Sequence, residues 1–175
     1  LSDTYFSSNI VLNDNRTVGN LYLTGGTLNL NGYTLTVKGN LIHSGGTLTI
    51  NGGRLNVKGD YRLQTEKKLE DGTRTYSYSK GYLIMRNEAD YMLVEGNYVV
   101  QSYSYLIELN NVACLNAGVI EIKGDFTQKY YTATYGSSFG FVSKGTHKVK
   151  LSGTGVQNIS FDTPGNSYFN ILEID

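Results

Sequence analysis

The side chains that could support acid–base chemistry in this chain are Glu66, Glu70, Asp71, Glu88, Asp90 and Glu108. Cleaving a polysaccharide needs two carboxylates, or a carboxylate with a perturbed Lys or Arg, held across a groove at a defined separation. Residues 66–71 mix Glu, Lys and Asp in the manner of a solvated loop, and nothing in the spacing enforces a facing pair. His43 and His147 are the only histidines, without Cys or acidic neighbours at metal-ligand spacing. Cys114 is the only cysteine; it excludes an internal disulfide and has no His close in sequence to activate it. Neither a glycine-aspartate calcium repeat nor a helix-flanked acidic loop occurs. The expectation is a protein without catalytic residues, cofactor or metal, with a polysaccharide lyase or hydrolase as the alternative.

A second group of side chains points to recognition. Tyr76, Tyr78, Tyr103, Tyr105, Tyr130, Tyr131 and Tyr135 fall in three Ser-, Thr- and Gly-rich segments, roughly 65–80, 101–108 and 129–144, which hold seven of the 15 tyrosines. A tyrosine ring offers flat contact area at low entropy cost, and its hydroxyl offers a polar handle. The competing reading is that these rings pack on one another and cover the edge of the core.

A repeat must position these loops. Residues 25–44 and 45–64 align without a gap at a spacing of 45 − 25 = 20 residues, with ten of twenty positions identical. Residues 110–126 align to 45–61, and residues 81–98 follow the same template with two residues inserted near Glu88. Within each copy apolar residues alternate with polar ones: Leu28, Leu30 then Leu35, Val37; Leu48, Ile50 then Leu55, Val57; Ala113, Leu115 then Ile120, Ile122. Period two marks strands. A third run follows a glycine, as in Leu21, Leu23; Leu41, His43; Tyr61, Leu63; Tyr98, Val100; Phe126, Gln128. Three strands per coil stacked about 4.8 Å apart give a right-handed parallel β-helix, a triangular solenoid of about 20 residues per coil.

Several finer expectations follow from this frame. Inner columns run Leu28–Leu48–Leu83–Ala113 and Val37–Val57–Val94–Ile122. Gly19, Gly39, Gly59, Gly96 and Gly124 mark one corner, where positive φ or a close backbone approach is required. Asn20, Asn40, Asp60, Asn97 and Asp125 follow them, and Asn interchanging with Asp suits hydrogen bonding better than ion binding. Asn31, Asn51 and Asn116 form a second column, expected to act as an amide ladder. Lys38, Lys58, Glu95 and Lys123 form an outward column whose Glu relieves like-charge repulsion. His43 falls at a partly buried strand end, and Cys114 falls outward between Ala113 and Leu115, where an insertion can cover it. The steps from third strand to next first strand, 28 − 21 = 7 and 48 − 41 = 7, become 83 − 61 = 22, 113 − 98 = 15 and 149 − 126 = 23, placing three long insertions at one corner. Residues 149–174 read as a looser last coil with a wide corner at 152–157, in which Phe169 and Ile171 share a strand.

Composition bounds the function. Lys+Arg and Asp+Glu are 15 each, so the chain lacks the basic footprint of a nucleic-acid or membrane-surface binder. No apolar run spans a bilayer, and residues 1–5 do not read as a signal peptide. Length and hydrophobic content fit one domain over residues 1–175, expected to be a piece of a longer repeat protein.

The segments LNLNGYTLTVKGNL, GGTLTINGGRLNVKGDYRLQ and GTHKVKLSGTGVQNISF, with YFNILEI after the last, resemble adhesin-type or filamentous-haemagglutinin-like β-helix modules of large secreted bacterial proteins. The resemblance covers about residues 10–174 as architecture. It implies an extracellular or cell-surface bacterial setting and a structural or adhesive role. On that reading the tyrosine edge contacts a glycan or a surface protein, and the coil ends are able to self-associate end to end or by their edges. A passive stalk in a toxin-delivery or surface-filament protein is the other non-enzymatic alternative.

Overall fold

The computed structural model of the protein describes residues 1–102, 108–109, 112–131 and 140–175. Its strands stack in parallel on three faces, as the twenty-residue period requires, and the fold is a parallel β-helix. Face A stacks Thr4–Phe6, Leu21–Leu23, Leu41–His43, Tyr61–Lys68, Tyr98–Val100, Phe126–Gln128 and Ile159–Phe161. Face B stacks Ile10–Val11, Thr27–Asn29, Thr47–Thr49 and Tyr82–Ile84, and isolated bridges carry it on through Leu115 to Ser143. Face C stacks Arg16–Val18, Thr34–Val37, Arg54–Val57, Tyr91–Val94, Val119–Ile122, Lys148–Leu151 and Ile171–Ile174.

The register reproduces the sequence columns. Val18, Val37, Val57, Val94, Ile122, Leu151 and Ile174 lie one over another on face C. Leu28 lies beside Leu48, and Leu48 beside Leu83, on face B. The inward residues join in one continuous buried core. Each large aliphatic side chain fully buried there contributes about 1.5–3 kcal/mol before chain entropy is subtracted. The core changes character along the stack: Leu21 and Leu41 give way to Tyr61, Tyr98 and Phe126, with ring centroids 4.9 and 5.4 Å apart. Phe141, Phe161 and Phe169 gather round Phe126. Aromatic volume thus fills the interior in the coils from which the insertions depart.

The turns explain the polar columns, with one correction. Asn31-Gly32 and Asn51-Gly52 have positive φ at both positions, and Tyr33 and Gly53 donate their N–H groups back to Leu30 and Ile50. Only Asn and Gly accept that left-handed pair readily, so these asparagines shape a tight B-to-C turn. They do not bond to one another in the expected ladder: Asn51 Nδ2 donates to Asn29 Oδ1 and Asn31 Nδ2 to the Leu12 carbonyl. The ladder runs down the other column. Asn20 Oδ1 accepts the N–H of Asn40, Asn40 that of Asp60, Asp60 that of Asn97, Asn97 that of Asp125, and Asp125 that of Asn158, all at 2.8–2.9 Å. Each rung needs a side-chain oxygen to accept the backbone N–H, which is why Asn and Asp interchange. The neighbouring glycines have negative φ; of the two sequence-based reasons for them, close approach is the operative one.

A prediction follows for the ladder. Asn40→Asp keeps the accepting oxygen and should leave stability within about 0.5 kcal/mol. Asn40→Ala removes it and should cost about 1 kcal/mol, the usual worth of one such bond. Urea unfolding of both variants measures the difference, and equal losses would remove the ladder's role.

Three further expectations are corrected. Val149 lies on face C opposite Ile120, while Leu115 bridges Ser143 on face B, so Phe141 rather than Val149 is the counterpart of Ala113. The third insertion therefore spans a step of 141 − 126 = 15 residues, although it stays at the same A-to-B corner. Phe169 and Ile171 do not share a strand: Tyr168 bridges Val142 on face B, whereas Ile171–Ile174 pairs with Lys148–Leu151 on face C. Residues 65–78 are not a loop. They continue a face-A strand into a hairpin, Arg74–Tyr78 running antiparallel to it from Lys68↔Arg74 to Gln64↔Tyr78.

Candidate functional site

The hairpin follows from its own turn. Gly72 has φ 85°, Asp71 Oδ1 accepts the Thr73 N–H at 2.8 Å, and Leu69 N–H closes on the Thr73 carbonyl. That N–H holds the Asp71 carboxyl below its ordinary range. The arm is tied to the outer surface of face A. Arg74 forks both Glu66 oxygens at 2.8 Å, Tyr76 donates its hydroxyl to Glu66, and the Arg62 guanidinium lies 4.6 Å from the Tyr76 ring centre. Bonding to Glu66 and then to the Tyr22 hydroxyl keeps Arg74 firmly cationic. Arg62 also pairs with Asp60 at 2.9 Å.

Beside the arm lies an open groove of about 670 Å³. Its wall is Arg62, Gln64, Arg74, Thr75 and Tyr76; its floor is the outward surface of the next two coils, including Asn97, Gln101, Thr127 and Lys129. Alternation along the strands produces this floor, because Val99 and Thr127 stand outward between inward pairs and align with Arg62. A glutamine chain crosses its end: Gln64 donates to Gln101 at 2.9 Å, and Gln101 donates to the Tyr130 carbonyl at 2.9 Å. The result is a trough with one aromatic ring, fixed guanidinium groups and amides. It suits a ligand rich in hydroxyl or carbonyl oxygens.

The structure separates the tyrosines grouped by sequence. Tyr76 is in the groove wall. Tyr78 and Tyr131 lie against each other with centroids 4.0 Å apart, joining the first insertion to the third, which is the packing alternative realised for these two. Tyr130 is half exposed, with its N–H bonded to Asp162. Tyr103, Tyr105 and Tyr135 lie outside the described residues. Sequence reasoning missed the groove floor, and also Tyr5 and Tyr22, whose rings stack at 4.6 Å on the other side of the hairpin. The signal was present, since the coil alignment puts Tyr22 outward between Leu21 and Leu23.

The candidate acids occupy separate places. Glu66 is committed to Arg74 and Tyr76. Glu70 and Asp71 sit in the exposed hairpin turn. Glu88 accepts from Thr146. Asp90 is buried at a B-to-C corner on the other side of the coil, where its carboxylate accepts N–H groups from Gly52, Arg86 and Asn87. It completes the corner widened by two residues. The side chain of Glu108 lies outside the described residues. Lys58 forms an ion pair with Glu95 in the outward column.

The remaining chemical candidates are buried. His43 is fully enclosed, with Nδ1 3.0 Å from the Tyr61 hydroxyl and Nε2 3.3 Å from the Gly46 carbonyl. Cys114 is buried although the register keeps Leu115 inward beside Met85: Val112–Ala113 pairs with Glu108–Leu109 of the second insertion, in line with an outward thiol covered by an insertion. His147 is buried at the last B-to-C corner, and neither ring nitrogen has a hydrogen-bond partner among the described residues. Among those residues no cluster of His, Cys, Asp and Glu could hold a metal ion.

Fold and groove together define a β-solenoid that carries a lateral concave surface. Comparison of the chain with protein-family models, with curated proteins and with solved structures found no match.

Proposed function

We propose that this protein is a non-enzymatic, adhesive β-helix module of a secreted or cell-surface bacterial protein, holding an extended glycan in the groove beside the hairpin. The observation that carries this reading is the groove itself: a trough along face A, walled by Tyr76, Arg62 and Arg74 and floored by amide, hydroxyl and ammonium groups. A sugar chain presents flat C–H faces to an aromatic ring and hydroxyls to fixed amides and guanidinium groups, and the trough offers both. Ion pairs, the Tyr76–Glu66 hydrogen bond and the Arg62–Tyr76 contact hold the wall in place before a ligand arrives, which lowers the ordering cost of binding. The sequence resemblance to adhesin-type modules supports the extracellular setting.

The test is binding of the protein to an array of glycans and cell-wall polymers, beside Tyr76→Ala and Tyr130→Ser variants whose fold is checked by circular dichroism. Tyr76→Ala should weaken binding about tenfold or more, about 1.4 kcal/mol, and Tyr130→Ser should change it less than twofold. Loss on Tyr130→Ser alone would move the site to the insertion edge. Binding to nothing on the array would favour the passive stalk.

A further inference from the structure

We propose that the glycan held in the groove is acidic, its sugars carrying anionic groups that accept hydrogen bonds and donate none. This deepens the adhesive reading and rests on it. The groove offers donors in surplus, because its acceptors are already occupied by the protein. Asp60 takes the Asn97 N–H on one oxygen and the Arg62 guanidinium on the other. Both Glu66 oxygens take Arg74, and one also takes the Tyr76 hydroxyl. The amide oxygens are used in the same way: Gln64 Oε1 accepts from Arg62, Gln101 Oε1 from Gln64, and Asn97 Oδ1 from the Asp125 N–H. The carboxylate of the lining, Asp125, accepts from Asn158.

Donors remain on the same surface. Arg62 commits two of its five N–H groups to Gln64 and Asp60, which leaves the others for a ligand. Lys129 has neither a hydrogen-bond acceptor nor an ion-pair partner among the described residues. The register places it: Leu63, Val100 and Gln128 stack on face A, and Gln64, Gln101 and Lys129 follow them by one residue. Lys129 thus stands two coils, about 10 Å, from Gln64 along the groove. Asp60 and Glu66 offset the charges of Arg62 and Arg74, so Lys129 is the cation of the lining without a paired anion.

A neutral sugar matches this surface less well. Each of its hydroxyls brings a proton as well as lone pairs, and that proton meets oxygens already bonded. A carboxylate or sulfate oxygen accepts only, and its bonds to guanidinium or ammonium N–H groups are stronger than those between neutral groups. The repeat of an acidic polymer sets such groups at intervals along the trough, so one chain can reach the arginine wall and Lys129 together. Carboxylate and sulfate share this chemistry, and the polymer chosen as probe separates them.

Binding of the protein to immobilised polygalacturonate and to its fully methyl-esterified form tests the proposal, since esterification removes the anion and keeps the chain. Dextran sulfate beside dextran does the same for sulfate. The charged member of at least one pair should bind about fivefold or more tighter than its neutral partner, and high salt should erase the difference. Lys129→Gln should weaken that binding about fivefold. Lys38→Gln, which removes the same charge from the face-C end of another coil, should leave it unchanged. Both lysines are exposed, and circular dichroism checks the folds. Equal binding within both pairs, or recognition of neutral glycans alone, would overturn the acidic class and leave the glycan reading standing. No binding to any glycan would remove both. Binding weakened equally by Lys129→Gln and Lys38→Gln would be general charge attraction, and would overturn the proposal as well.

Discussion

Gly96→Ala is expected to cost about 3 kcal/mol, at the severe end for overpacking, and to do so with no change at the groove. A Cβ built on Gly96 would lie 2.6 Å from the ladder oxygen of Asp60 and 2.7 Å from both the carbonyl carbon and oxygen of Gly59. The backbone atoms belong to the coil below, which cannot retreat without opening the strand pairs on either side. Gly39→Ala meets a different obstacle, because its Cβ would approach only the Asn20 side chain closely, at 2.1 Å from Oδ1, with the Asn20 backbone nitrogen at 3.6 Å. Removing that amide should therefore rescue Gly39→Ala: the double variant Asn20→Ala/Gly39→Ala should lose little more than Asn20→Ala alone. Asp60→Ala should not rescue Gly96→Ala. Gly155, whose Cβ would meet nothing within 4 Å, provides the control and should accept Ala within about 0.5 kcal/mol. Guanidinium unfolding of the set decides the matter; equal costs for Gly96→Ala and Gly155→Ala would show that the coils are not in the contact described.

The same glycine column shows how far the sequence could be read. Its twenty-residue recurrence, and the alternation of Leu28, Leu30, Leu35 and Val37, give the coil and its inward columns, because stacking puts identical demands on equivalent positions. The location of the insertions was legible for the same reason, since strands before and after them keep the repeat. What recurrence could not separate was two polar columns of similar composition. Asn31 and Asn51 are chosen for left-handed φ, Asn20 and Asn40 for an oxygen that reaches the next coil, and both demands select asparagine. Unrepeated segments were harder still. Arg74 and Tyr76 bond to Glu66 across the hairpin, and the groove arises between that hairpin and the outward residues of later coils, parts of the chain that no local pattern links. The third insertion was overextended because Phe141, Val142 and Ser143 carry no alternation. The aromatic end of the core is similar: Phe141 and Phe169 reach Phe126 from opposite sides of an insertion and a corner.

Mild acid should destabilise the protein well above the pH at which its carboxylates protonate, and two buried histidines are the cause. Desolvation lowers the pKa of His43 to about 4, against a small opposing effect of the Gly46 carbonyl, and desolvation likewise lowers that of His147 to about 4. In the unfolded chain both titrate near their ordinary value, about 6.5. The folded state therefore binds fewer protons than the unfolded state between these limits. Stability is full above about pH 6.5, falls as the pH drops toward 4, and changes no further on this account below it. The slope approaches about 1.4 kcal/mol per pH unit for each histidine, so at pH 5 the pair should cost about 4 kcal/mol relative to pH 7.5. The two rings differ in their replaceability. His43 bonds the Tyr61 hydroxyl, and an apolar replacement leaves that buried group short of a partner. Neither His147 nitrogen has a partner among the described residues, so His147→Leu should leave stability at pH 7.5 equal or higher and should halve the loss between pH 7.5 and 5. Urea midpoints across this range, for wild type and His147→Leu, measure both effects. An unchanged pH slope in the variant would mean that water or a neighbouring group reaches the His147 ring, and that its burial does not carry the acid sensitivity.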